Sequence, residues 1–151
     1  MVSAFYDEAW AHRDVDAWPF LLAGPIVRRV ARGSAAVFVA TREACSVTLT
    51  LHEGTSASSR AVGSATAPTV PLGLRLHVCV VEATGLTLTP GQLYGYDLSF
   101  AATSGTFTLA DLGELQGSVP LGYLQGDLPA FLLPGSADDL RIVHSSCRKM
   151  H

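Results

Sequence analysis

The sequence predicts an all-β protein, an antiparallel β-sandwich. Three observations predict it. Several stretches alternate with a period of two, cleanest in CSVTLTLHE and GLRLHVCVVEATG. β-branched and aromatic residues are enriched in those stretches. Turn signals separate them: ARGS at 31–34, HEGTS at 52–56, TPGQ at 89–92 and TSGT at 103–106.

The elements follow in order. Residues 6–17 suit a short helix, with Phe5, Ala9, Trp10 and Trp18 able to share one face. The stretch around Arg28–Arg29 is strand-like. In SAAVFVATR, Ala36, Phe38 and Ala40 alternate with Val37, Val39 and Thr41, which suits a strand apolar on both faces. In CSVTLTLHE, Val47, Leu49 and Leu51 face one way and Ser46, Thr48, Thr50 and His52 the other. Residues 54–71 are small and polar and predict a mobile loop, with a short edge strand near Arg60–Val62. The next strand sets Leu74, Leu76, Val78 and Val80 against Arg75, His77 and Cys79. QLYGYDLSF and GTFTLADL follow as strands. LRIVHSSC, after the Pro134–Asp139 stretch, reads as one more strand.

Composition bounds the function. With 151 residues, 48% apolar and 15% charged, the chain has room for one domain with a substantial core. The net charge of −3, with scattered Lys and Arg, argues against nucleic acid, which calls for a basic face. The run WPFLLAGPIV is broken by Pro19 and Pro25 and is too short to span a bilayer, and no leader pattern precedes it. Cys45, Cys79 and Cys147 are far apart and form no C-x-x-C pair. These features predict a cytoplasmic protein without disulfides. Three regions result: an N-terminal, partly helical segment (1–20), the sandwich (21–134), and a linker with a first-strand stub (135–151). About 100 residues suffice to close such a sandwich.

Two passages carry resemblances. GLTLTPGQLYGYDLSF places Leu86 and Leu88 before a Pro90–Gly91 turn, then Tyr94 and Tyr96 on one strand face. It resembles the corner of immunoglobulin-like and fibronectin type III-like domains, where a Tyr hydroxyl bonds back to the backbone. LAGPIVRRVARGSAAVFVATREACSVTL, LTPGQLYGYDLSF and LRIVHSSCRKMH form an ordered set. Together, across residues 21–151, they resemble the N-terminal part of the PhoD-like alkaline phosphatase and phosphodiesterase family. In that family a small sandwich precedes a metallophosphatase domain, and a strand ending in S-C-[RQ] opens the catalytic domain.

The resemblance implies specific roles. Ser146–Cys147–Arg148 occupies the S-C-[RQ] step. Cys147 would be a metal ligand in a complete parent, its thiolate on iron beside calcium, since a thiolate prefers a transition metal. Arg148 would contact phosphate oxygens with its planar fork. The family's other ligands lie downstream, so no catalytic residue and no cofactor is expected in this chain, which should be inert alone. Arg28–Arg29 is not the family's twin-Arg export signal. The partners expected are the C-terminal metallophosphatase domain, or a second copy meeting an exposed face or the C-terminal strand (140–146). The rival reading is a free-standing β-sandwich binding or oligomerisation module.

The remaining candidates read as structural. His144 and His151 form with Cys147 a loose H-x-x-C-x-x-x-H pattern, one ligand short of a closed zinc site. Ser145 and Ser146 lack a G-x-S-x-G elbow. Asp14 and Asp16 lack the EF-hand spacing. Cys45 and Cys79 lie in strand patterns as buried thiols.

Overall fold

A computed structural model of the chain describes residues 17–116 and 119–135. The helix expected at 6–17, and the stub carrying Cys147 and Arg148, lie outside the described residues. Among the described residues, nine strands form two antiparallel sheets: β1 (Leu21–Ala31), β2 (Ser34–Thr41), β3 (Cys45–Glu53), β4 (Ala61–Pro68), β5 (Val70–Gly73), β6 (Leu76–Thr84), β7 (Leu93–Ala102), β8 (Gly105–Thr108) and β9 (Ala130–Leu132). The first sheet has the order β1-β2-β6-β5 and the second β4-β3-β7-β8, with β9 also on β7. β8 pairs with residues Ser99–Ala102 of β7 and β9 with Leu93–Gly95, so the two short strands divide one edge. In immunoglobulin lettering the sheets are A-B-E-D and C′-C-F-G. The fold is therefore an immunoglobulin/fibronectin III-like β-sandwich, as the alternation predicts.

The core lies between the sheets. β2 contributes Ala35, Val37 and Val39, β6 contributes Cys79, Val81 and Ala83, β3 contributes Val47, Leu49 and Leu51, and β7 contributes Tyr96, Leu98 and Phe100. Each set is spaced by two, which is what puts it on one face of a pleated strand. Burying each Leu, Val or Phe stabilises the fold by about 1.5–3 kcal/mol. On the outer face of β2, which lies between β1 and β6, the small side chains of Ala36 and Ala40 are also buried.

One expectation needs correction. Residues 54–71 are not a mobile loop. Only the bend around residues 54–60 is irregular, and the rest is β4 leading into β5. In β4, Gly63, Ala65 and Ala67 turn inward against exposed Ser64 and Thr66. The inward side chains are small because β4 lies close against β6 of the other sheet, where the Cys79 thiol reaches the Ala67 carbonyl at 3.8 Å. In β6 the structure decides which row is inward, a point the alternation leaves open, and Cys79 is buried as expected. The alternation holds: His77, Cys79, Val81 and Ala83 are buried, while Leu76 and Val80 are exposed and Val78 is half-buried. The row with the larger apolar side chains faces away from the core.

The Pro90–Gly91 turn is built as its sequence demands. The Gln92 N–H donates to the Thr89 carbonyl (3.2 Å), and Gly91 sits at φ +80°. Pro at the second position and a positive-φ Gly at the third fit a type II turn. The Gly91 N–H donates to the Leu133 carbonyl (2.8 Å), tying the turn to the chain leaving β9.

Candidate functional site

The first expected feature is the tyrosine corner. Tyr94, the second residue of β7, is buried against Leu88 and Leu133. Its hydroxyl accepts a hydrogen bond from the Thr89 N–H at 2.8 Å, five residues upstream. Phe131 of β9 packs beside both Tyr94 and Tyr96, with ring centroids 6.0 and 6.4 Å apart. Both tyrosines thus point to one side of β7, and burial pushes the Tyr96 phenol up to about 12. These rings serve the core.

At the opposite end of the sandwich, a shallow hollow of about 440 Å³ is lined by Ala44, Cys45, Ser46, Pro68, Thr69 and Ala101. Burial pushes the Cys45 thiol up, and it pushes the Cys79 thiol up as well, with the nearby Cys45 adding to the rise. Reactive cysteines have depressed values and electropositive surroundings, and neither thiol meets that description. Both are free. Among the described residues, no group of three or more His, Cys, Asp or Glu is placed to hold a metal ion. His77 is buried beside Thr41 in the register, and its Nδ1 has no hydrogen-bond partner among the described residues.

The outer face of the β1-β2-β6-β5 sheet stands apart. Directly opposed residues on neighbouring strands share a face, so the registers give its rows. One row is Ile26, Phe38 and Val80; the next is Ala23, Ala40, Val78 and Val70. Leu76 continues the face along β6. Exposure is 45% at Ile26, 58% at Val70, 56% at Val80 and 39% at Leu76. Toward the β1–β2 turn a third row, Arg29, Ala36 and Glu82, closes the apolar area with one charge of each sign. Exposed apolar side chains are thus grouped on this face beside a charged row. The signal was present in the sequence as Leu76, Val78 and Val80, but an alternating apolar row ordinarily denotes core.

Fold and surface together define a class by architecture: an immunoglobulin-like sandwich with an exposed apolar face on one sheet. The chain matches the family model described as a domain of unknown function, DUF7800, over residues 19–106. That span is more than half of the chain, which belongs to this family; it runs from just before β1 into the β7–β8 hairpin. No curated protein matches the chain. Among the described residues, no helix is long and apolar enough to cross a membrane.

Proposed function

We propose that this chain is the N-terminal accessory β-sandwich of a PhoD-like metal-dependent phosphatase or phosphodiesterase, itself non-catalytic and packing against the catalytic domain. The observation that carries the reading is the LTPGQLYGYDLSF passage, folded as a fibronectin III-like corner with Tyr94 bonded to Thr89, upstream of Ser146–Cys147–Arg148. In the complete parent Cys147 would serve as the iron ligand beside calcium and Arg148 as a phosphate contact. A cytoplasmic location belongs to the same proposal, and the free thiols of Cys45 and Cys79 support it.

Two measurements test this reading. The purified chain, supplied with iron and calcium, is expected to leave phosphomonoesters and phosphodiesters unhydrolysed; turnover overturns the non-catalytic assignment. A PhoD-like catalytic domain made without its sandwich is expected to bind the chain in calorimetry. No heat of binding at high micromolar concentration removes the packing role.

A second reading is favoured by a different observation. The exposed apolar face of the β1-β2-β6-β5 sheet fits a free-standing binding or oligomerisation module.

A further inference from the structure

We infer that two copies of this chain associate face to face through the outer surface of the β1-β2-β6-β5 sheet, about a two-fold axis running along the strands. The inference rests on the oligomerisation reading and is independent of the phosphatase parentage.

The first argument is the pattern of the face. Its middle is apolar, from Ile26 through Phe38 to Val80, with Val78 and Val70 beside them. Side chains of this kind are compatible with sheet-on-sheet packing about 10 Å apart. The sheet cannot instead pair readily by its β1 edge. That edge carries Pro25, which has no N–H, and register shifts between Leu21/Ala23, Ala23/Ile26 and Val27/Arg29. The other edge, β5, is only 4 residues long and carries Pro71, so it too is a poor partner for strand pairing, and association is directed to the face.

The second argument is charge. A two-fold axis in the interface plane and parallel to the strands lays each residue row on the same row of the other copy. It also exchanges left for right. β1 of one copy then crosses the β6 side of its partner. In the bordering row, Arg29 lies on β1 and Glu82 on β6, with small Ala36 between them on β2. Arg29 of each copy thus meets Glu82 of the other, twice over. An interface made of one patch meeting itself needs this self-complementarity. A row carrying one sign only would repel itself.

The third argument is area. With the axis over β2, the strands β1, β2 and β6 of one copy lie on β6, β2 and β1 of the other. Three strands about 4.8 Å apart, roughly eight residues long at about 3.3 Å each, give a flat footprint of about 380 Å². Two such footprints total about 760 Å², below the roughly 1,000 Å² of a stable specific interface. The complex should therefore be a weak, reversible, concentration-dependent dimer.

The test is sedimentation of the full 15.9 kDa chain over a range of micromolar concentrations. A monomer–dimer equilibrium is expected. Val80→Asp, at an exposed position outside the core, should leave the chain folded by circular dichroism and monomeric. Arg29→Glu alone and Glu82→Arg alone should each weaken the dimer about tenfold, because both contacts become like-charged. Mixing those two variants should restore association, since each mixed pair regains both opposite-charge contacts. That rescue is particular to the two-fold arrangement. A wild-type chain that stays monomeric at several hundred micromolar overturns both the dimer and the oligomerisation reading. A dimer unaffected by Val80→Asp overturns this face while leaving oligomerisation standing. A monomer whose Val80→Asp variant loses binding to a PhoD-like catalytic domain overturns the dimer and assigns the face to that domain.

Discussion

Tyr94 shows how one polar atom can be buried without loss. Its ring is packed in the core, yet its hydroxyl accepts the Thr89 N–H at 2.8 Å. Tyr94→Phe keeps the ring and removes the acceptor, leaving a part-buried N–H unpaired. We expect a loss of about 1–2 kcal/mol, read as a lower urea midpoint at unchanged m. Asp97 presents the opposite balance. Burial pushes its carboxyl up, although the Leu98 and Leu109 N–H groups and nearby His52 oppose the rise. The folded state then holds this proton more tightly than the unfolded chain. Its contribution to stability is present below the ordinary carboxylate pKa and is lost as pH rises through the raised folded value. Asp97→Asn keeps an oxygen for the Leu98 N–H, now 2.8 Å away, and carries no charge. The stability of Asp97→Asn relative to wild type should grow as pH rises from about 3 toward 7. A constant difference across that range in denaturant titrations would count against a raised Asp97.

Among the elements, β7 is the most constrained. It pairs with β3 along its length and with β8 and β9 on its other edge. Gly95 lies where the bend after β3 crosses it, and its N–H donates to the Gly54 carbonyl at 2.7 Å. A Cβ at residue 95 would lie 2.5 Å from that same oxygen, a backbone atom that cannot step aside. Gly95→Ala should cost about 2–3 kcal/mol by thermal or chemical unfolding. The contrast between elements also explains what the sequence made legible. β3 was plain because Val47, Leu49 and Leu51 oppose Ser46, Thr48 and Thr50, so apolarity and burial coincide. β4 was hidden because Gly63, Ala65 and Ala67 differ little in hydrophobicity from Ser64 and Thr66. Its inward side was chosen for size, to fit beneath β6. β6 was legible as a strand but not as to which face is inward, since its inward row holds His77, Cys79 and Ala83 beside Val81.

At the scale of the whole molecule, the turn signals and strand count were enough for the sandwich class. The candidate site was not legible in the same way. An apolar row facing solvent and an apolar row facing a core have the same letters; only the opposing sheet decides between them. Here the second sheet lies on the Cys79–Val81–Ala83 side, and Ile26, Val70, Leu76 and Val80 are left outside. The Arg29–Ala36–Glu82 row could not be assembled from sequence either, because it depends on a shift in register between Val27 and Arg29.

Thr69 alone separates β4 of one sheet from β5 of the other. Its N–H donates to the Cys45 carbonyl (2.9 Å), and its hydroxyl accepts the Cys45 N–H (3.0 Å). The chain therefore changes layers within one residue, and that residue is fastened to the start of β3. Neither layer can peel away without breaking the same corner and drawing the other with it. On heating, the protein has no separate halves to melt in turn: it should lose both sheets together, in a single two-state transition.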